Sequence, residues 1–156
     1  MLSRRSLLLS FGATLALSAC GAGRQSSKNP PEGLLKPGES PAMRAKINRW
    51  ADHYDVPRSL VHRIVQRESG YNPGARNGPY MGLMQIHPRT AGLMGFDGAS
   101  SELLDADTNL KYGVKYLRGA WMCADGSESR AVSWYAKGYY YEAKRRGILD
   151  ETGMSA

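Results

Sequence analysis

Leu60, Val61, Ile64 and Val65 repeat at the spacing of one helix face, while Arg63, Gln66 and Arg67 turn away from it. This stripe predicts a helix opened by Val56-Pro57 and closed near Gly70. Upstream, Ser40-Pro41 reads as a cap followed by a first-turn proline, opening a helix through about Tyr54. Downstream, Leu110, Val114, Leu117 and Trp121 share a face of a longer helix, with Asp107 as its predicted cap. A short helix is predicted over Met81 to Ile86, another from Pro88, and a final pair over about Glu128–Lys137 and Tyr139–Arg146. Tyr71 to Tyr80 carries Asn-Pro-Gly and Asn-Gly turn signals and reads as a loop. No run shows clear two-residue alternation and no internal repeat is visible, so residues 41–156 are expected to form one all-α or helix-dominated domain.

One charged residue breaks the pattern. Extended by a turn, the stripe of the second helix lands on Glu68, four residues beyond Ile64 and eight beyond Leu60. A carboxylate facing the core side is costly, and the C-terminal end of a helix dipole adds to that cost. Both favour the neutral acid, the form that donates a proton to a glycosidic oxygen. The plainer alternative is a Glu paired with an arginine or turned to solvent at a frayed helix end.

The N-terminus reads as an address. Arg4 and Arg5 precede an apolar stretch, Leu7 to Leu17, too short to span a bilayer. It ends in Leu17-Ser18-Ala19-Cys20, which resembles the lipobox of bacterial lipoproteins. That resemblance implies a signal peptide over 1–19, cleavage before Cys20 and acylation there. Two or more acyl chains hold a protein firmly to a membrane. Ser3-Arg4-Arg5-Ser6-Leu7-Leu8 also looks like a twin-arginine export signal, although the general route is favoured. Residues 20–40, rich in Gly, Ser, Pro and Lys, are the expected tether, with a reach of roughly 25 Å for about twenty flexible residues. Gly21 is not the Asp typical of inner-membrane retention in enteric-type bacteria, so the periplasmic face of an outer membrane is the expected location.

Composition narrows the chemistry. The net charge is +7, from 21 basic and 14 acidic residues; without Arg4 and Arg5, 19 basic residues remain, giving +5. This mild excess suits an anionic polymer or membrane surface. Lys144-Arg145-Arg146 is the longest basic run in the domain, with no dense stripe of interleaved aromatics, so nucleic acid is not an expected partner. If Cys20 carries lipid, Cys123 has no partner within the chain, and no disulfide is expected. His53, His62 and His87 have no metal-ligand spacing, so no metal or other cofactor is predicted.

Four blocks carry a family resemblance: Glu68-Ser69-Gly70-Tyr71-Asn72-Pro73; Gly82-Leu83-Met84-Gln85-Ile86-His87-Pro88-Arg89-Thr90-Ala91; the run from Asp107 to Leu117 with Asn109, Gly113 and Tyr116; and Ala131-Val132-Ser133-Trp134-Tyr135-Ala136-Lys137-Gly138. In this order and spacing they resemble the lytic transglycosylases of the lysozyme superfamily. The resemblance implies a lysozyme-like transglycosylase domain acting, as a monomer, on peptidoglycan glycan strands. It implies cleavage between N-acetylmuramic acid and N-acetylglucosamine, with Glu68 as the one acid/base and the muramic 6-hydroxyl as nucleophile. That chemistry needs no second carboxylate, unlike most glycosidases. It also implies that Ser69 supports the site, that Met84 and Gln85 line the sugar cleft, and that Tyr135 reaches the Glu68 carboxyl. Met84 as core packing is an equal alternative. Ala136 and Lys137 depart from the family's Tyr-Asn-x-Gly in the last block. Two other readings are a goose-lysozyme-like hydrolase, which needs a second acid, and a non-catalytic glycan-binding lipoprotein. Asp97, Glu102 and Asp105 could serve as that acid only by folding back.

Overall fold

The computed structural model describes residues 33–154; the expected signal peptide over 1–19 and Cys20 lie outside the described residues. The elements run α1 (Pro41–His53), α2 (Arg58–Ser69), a two-stranded hairpin of β1 (Arg76–Asn77) and β2 (Tyr80–Met81), α3 (Pro88–Leu93), a 3-10 turn (Ser100–Leu104), α4 (Ala106–Met122), α5 (Glu128–Lys137), α6 (Tyr140–Arg146) and α7 (Leu149–Thr152). Helix dominates, as the hydrophobic spacing implies. α4 is the central element, contacting α1, α3, α5, α7 and the 3-10 turn. Its buried residues, including Leu110, Val114, Leu117 and Ala120, surround the axis more fully than one stripe would. Each large aliphatic side chain buried this way contributes about 1.5–3 kcal/mol.

Capping explains where the helices begin. Ser40 Oγ accepts from the Met43 amide at 3.1 Å, with Pro41 in the first turn. α4 is capped two residues earlier than predicted. Asp105, not Asp107, takes the cap position and accepts from the Thr108 amide at 2.8 Å. Asp107 sits in the first turn, and its carboxylate ties α4 to α1 through Lys46, Arg49 and the Trp50 indole N–H. Met81 to Ile86 is not a helix: β2 leads into a tight turn that closes on itself by a Met81–Ile86 bridge. In α6, Arg145 and Arg146 pair with Glu142, and Arg146 also with Asp125, so the basic run is largely neutralised. Tyr139 is wholly buried, whereas Tyr140 and Tyr141 are exposed.

The ordered domain begins before Pro41. The Glu39 side chain is fully enclosed and takes two bonds from the Arg44 guanidinium, at 2.9 and 2.7 Å, and one from the Lys36 amide at 2.8 Å. His62 Nδ1 lies 3.4 Å from the same carboxylate and 3.1 Å from the Tyr71 hydroxyl, and His62 Nε2 lies 3.0 Å from the Asn48 amide oxygen. Gly38, at a φ of 81°, lies so close to Gly70 that a Cβ would stand 2.3 Å from the Gly70 carbonyl oxygen. Lys36–Glu39 is therefore a clasp across α1, α2 and the turn after Ser69, not free tether.

Acid weakens this clasp. Burial pushes the His62 imidazole down from 6.5 to about 4, against the opposing pull of Glu39; Lys36, Arg44 and Arg58 push the same way as burial. The unfolded chain binds the proton first, so stability falls as pH drops from about 6.5 to 4, by on the order of 3 kcal/mol at most. Hydrogen bonds from Arg44 hold the Glu39 carboxyl below its ordinary 4.5, and its contribution is lost as pH falls further. Thermal melts across this range are expected to show a falling Tm, and His62→Gln to flatten the part between pH 6.5 and 4.5.

Candidate active site

The apolar stripe of α2 is sealed: Leu60, Val61, Ile64 and Val65 are each 0% exposed. One turn further, Glu68 reaches the point where the core opens into a cleft of about 530 Å³, and its side chain is 21% exposed. The cleft walls come from the end of α2, the hairpin, Gln85 and the end of α5. Glu68 is the only carboxylate among the residues lining it. It is not enclosed by apolar side chains as the stripe alone suggests. Arg67, which the helix period turns away, brings Nη2 back to 3.0 Å from Glu68 Oε1.

Opposite Glu68, the turn from Gly82 to Gln85 is pinned by three helices. Ser69 Oγ, at the end of α2, donates to the Leu83 carbonyl at 2.8 Å, with the Val65 carbonyl also within 3.2 Å. Asn109 of α4 accepts from the Met84 amide at 2.8 Å and donates to the Met81 and Leu103 carbonyls at 2.8 and 2.7 Å. Tyr135 of α5 donates to the Met84 carbonyl at 2.8 Å. Backbone groups that a helix would satisfy internally are met here by side chains, so the turn can be buried without regular structure.

The four supporting residues thus divide into different tasks. Ser69 and Gln85 line the cleft. Gln85 sits at a φ of 47°, an unusual conformation for a side-chain-bearing residue. Its amide nitrogen donates to the Gly82 and Ala75 carbonyls at 2.9 and 3.2 Å. Met84 is a correction: its side chain is 0% exposed and packs over Gly113, so it is core and does not line the cleft. Tyr135 lines the cleft, but its hydroxyl bonds the Met84 carbonyl and not the Glu68 carboxyl. Burial first, and the neighbouring Glu68 charge second, push its phenol well above the ordinary value and keep it a hydrogen-bond donor. Tyr116 stacks its ring edge against Tyr135 at 5.3 Å, supporting it from α4. Ala136 forms cleft wall, and Lys137 lies 4.9 Å over the Trp134 ring.

Among the described residues no other acid lines the cleft. Glu102 accepts from the Ala99 amide and Asp105 caps α4, and neither they nor Asp97 line the cleft. Among the described residues no group of three or more His, Cys, Asp or Glu is placed to hold a metal ion, and no helix is long and apolar enough to cross a membrane. Cys123 is buried, which pushes its thiol up. Sequence reasoning missed the hairpin residues Arg76, Asn77 and Tyr80, all of which line the cleft. The Asn77-Gly78 dipeptide, a strong turn signal between two short segments, was the available clue.

Comparison with known proteins agrees with this geometry. The family model described as the Transglycosylase SLT domain matches residues 45–148. A membrane-bound lytic murein transglycosylase C of Mannheimia succiniciproducens is 42% identical over 79 residues, covering 46% of this chain and 22% of that protein. The protein of the same name in Haemophilus influenzae is 38% identical over 79 residues, with the same coverage. The soluble lytic murein transglycosylase of Escherichia coli is 35% identical over 80 residues, covering 46% of this chain and 12% of that protein. The match thus spans about a fifth or less of the length of these relatives. With a family match across both walls of the cleft and the helices that build them, the chain belongs to the Transglycosylase SLT domain family, of helical lysozyme-like fold.

Proposed function

We propose that the protein is a peptidoglycan lytic transglycosylase, cleaving the β-1,4 bond between N-acetylmuramic acid and N-acetylglucosamine. The observation that carries this reading is a cleft in which, among the described residues, Glu68 is the one carboxylate and no second acid stands to hold an attacking water. Glu68 donates its proton to the glycosidic oxygen as that bond breaks. The resulting carboxylate then takes the proton of the muramic 6-hydroxyl, whose oxygen bonds to the anomeric carbon. The products are a 1,6-anhydro end and a free N-acetylglucosamine hydroxyl, with no water consumed. Ser69, Asn109 and Tyr135 hold the turn that carries Gln85, whose amide oxygen accepts from a sugar hydroxyl or acetamido N–H in this reading.

The names of several relatives include "membrane-bound", which supports a membrane-associated role. The lipobox-like Leu17-Ser18-Ala19-Cys20 supplies the means, an acylated Cys20 on the periplasmic face of an outer membrane, with the enzyme acting as a monomer on nearby glycan. Digestion of purified sacculi followed by mass spectrometry tests the reaction. Anhydromuropeptides are the expected products; ordinary reducing ends would indicate a hydrolase, and binding without release of fragments a glycan-binding protein.

A further inference from the structure

The cleft has more positive charge than its acid requires. Arg67 and Arg76 both line it, against Glu68 alone. The Arg67 side chain is 46% exposed, and its ion pair with Glu68 is its one polar contact among the described residues. Arg76, on β1, is exposed and its side chain has no ion pair or hydrogen bond among the described residues. The Arg67 contact also occupies the carboxylate that must reach the glycosidic oxygen, so Arg67 and substrate compete for the same group. A competent complex needs another partner for Arg67.

We infer that Arg67 and Arg76 form a recognition site for a carboxylate on the muramoyl side chain of the glycan, and that its binding draws Arg67 off Glu68. This rests on the lytic transglycosylase reading and names the substrate class within it: glycan bearing a free acid beside the scissile bond. Two sources share this chemistry, the lactyl carboxylate of a bare muramoyl residue and the carboxylates of an attached peptide. An arginine pair suits either, since each guanidinium presents paired N–H donors to a carboxylate. A neutral side chain offers no charge to compete with Glu68, so it leaves the ion pair in place. Arg67 and Arg76 are therefore specificity-determining residues, and Arg67 also sets when Glu68 is free to act.

The test compares glycans of equal length with bare muramoyl residues, with free-acid peptides, and with the same peptides fully amidated. Wild-type kcat/KM is expected to be roughly tenfold higher for a carboxylate-bearing substrate than for the amidated one, the scale of two partly exposed charge pairs. In Arg76→Gln the ratio falls through a raised KM for the acidic substrate. In Arg67→Gln it falls toward one, with the amidated substrate gaining. Whether bare or peptide-bearing glycan is preferred assigns the carboxylate to the lactyl group or the peptide. A wild type that does not distinguish the three substrates, or variants that lose equally on all of them, would overturn the inference. If no substrate yields anhydro ends, the proposed reaction fails instead, and calorimetric binding of the same three glycans still decides the site: charge-dependent affinity lost in Arg76→Gln sustains it, and its absence refutes it.

Discussion

Glu68→Gln is expected to remove anhydromuropeptide release by roughly a hundredfold to ten-thousandfold, the usual worth of a positioned acid/base. The amide keeps the shape of the side chain but neither donates an acidic proton nor takes one from the muramic 6-hydroxyl. No neighbour among the described residues can substitute, since Glu68 is the only carboxylate of these that lines the cleft. Stability should change little. Among the described residues the carboxylate pairs with Arg67, on a contact 46% exposed on the arginine side, and such pairs contribute about 0–1 kcal/mol. A large loss of activity with an unmoved Tm is therefore the expected pairing. Residual activity within a few-fold of wild type would show that another group carries the proton.

The second large effect belongs to Gly82→Ala. Gly82 has a φ of 74°, and a Cβ there would stand 2.2 Å from the Asn109 amide nitrogen and 2.4 Å from the Leu103 carbonyl oxygen. The substitution strains the backbone and forces Asn109 aside, breaking the bonds to Met81, Met84 and Leu103 together. Buried groups left unpaired cost about 1–3 kcal/mol each, so the expected loss is about 4 kcal/mol or more. A fall in Tm of about 10 °C or more, with activity lost even below the melt, is the expected result. Asn109→Leu should follow it, because it removes the same three bonds while filling the same space. Variants that melt like wild type would mean the turn is held by something other than Asn109.

These two residues show what was legible in the chain and what was not. Helices with a repeated apolar face declare themselves, and the stripe of α2 led directly to Glu68. Leu83, Met84 and Ile86 are also apolar and buried, and Met81 half-buried, yet the segment is not a helix. Its conformation is set by Ser69, Asn109 and Tyr135, which are distant in sequence and meet only when α2, α4 and α5 pack. For the same reason Tyr135 could be assigned to the site but not to its real bond, and Met84 could not be separated from the cleft. Asn109 and Gly113 were visible as a motif, but their work on Met84 was not.

The clasp shows the converse. Lys36 to Glu39 has the polar, Gly- and Pro-rich composition of a linker, and local signals read it as tether. Only the tertiary meeting of Arg44, Asn48, His62 and Tyr71 makes a buried Glu39 stable there. Arg67 was misassigned by the same limit: helical period fixes where a Cα–Cβ bond points, while a long side chain at a helix end can return to a charge next door.

The account rests on a sugar hydroxyl, and not water, attacking the anomeric carbon. Sacculi digested in heavy-oxygen water, with mass spectrometry of the new muramoyl ends, test this directly. The predicted ends are anhydro and carry no heavy oxygen. One heavy oxygen at each new end would mean that water is the nucleophile, and would contradict the account.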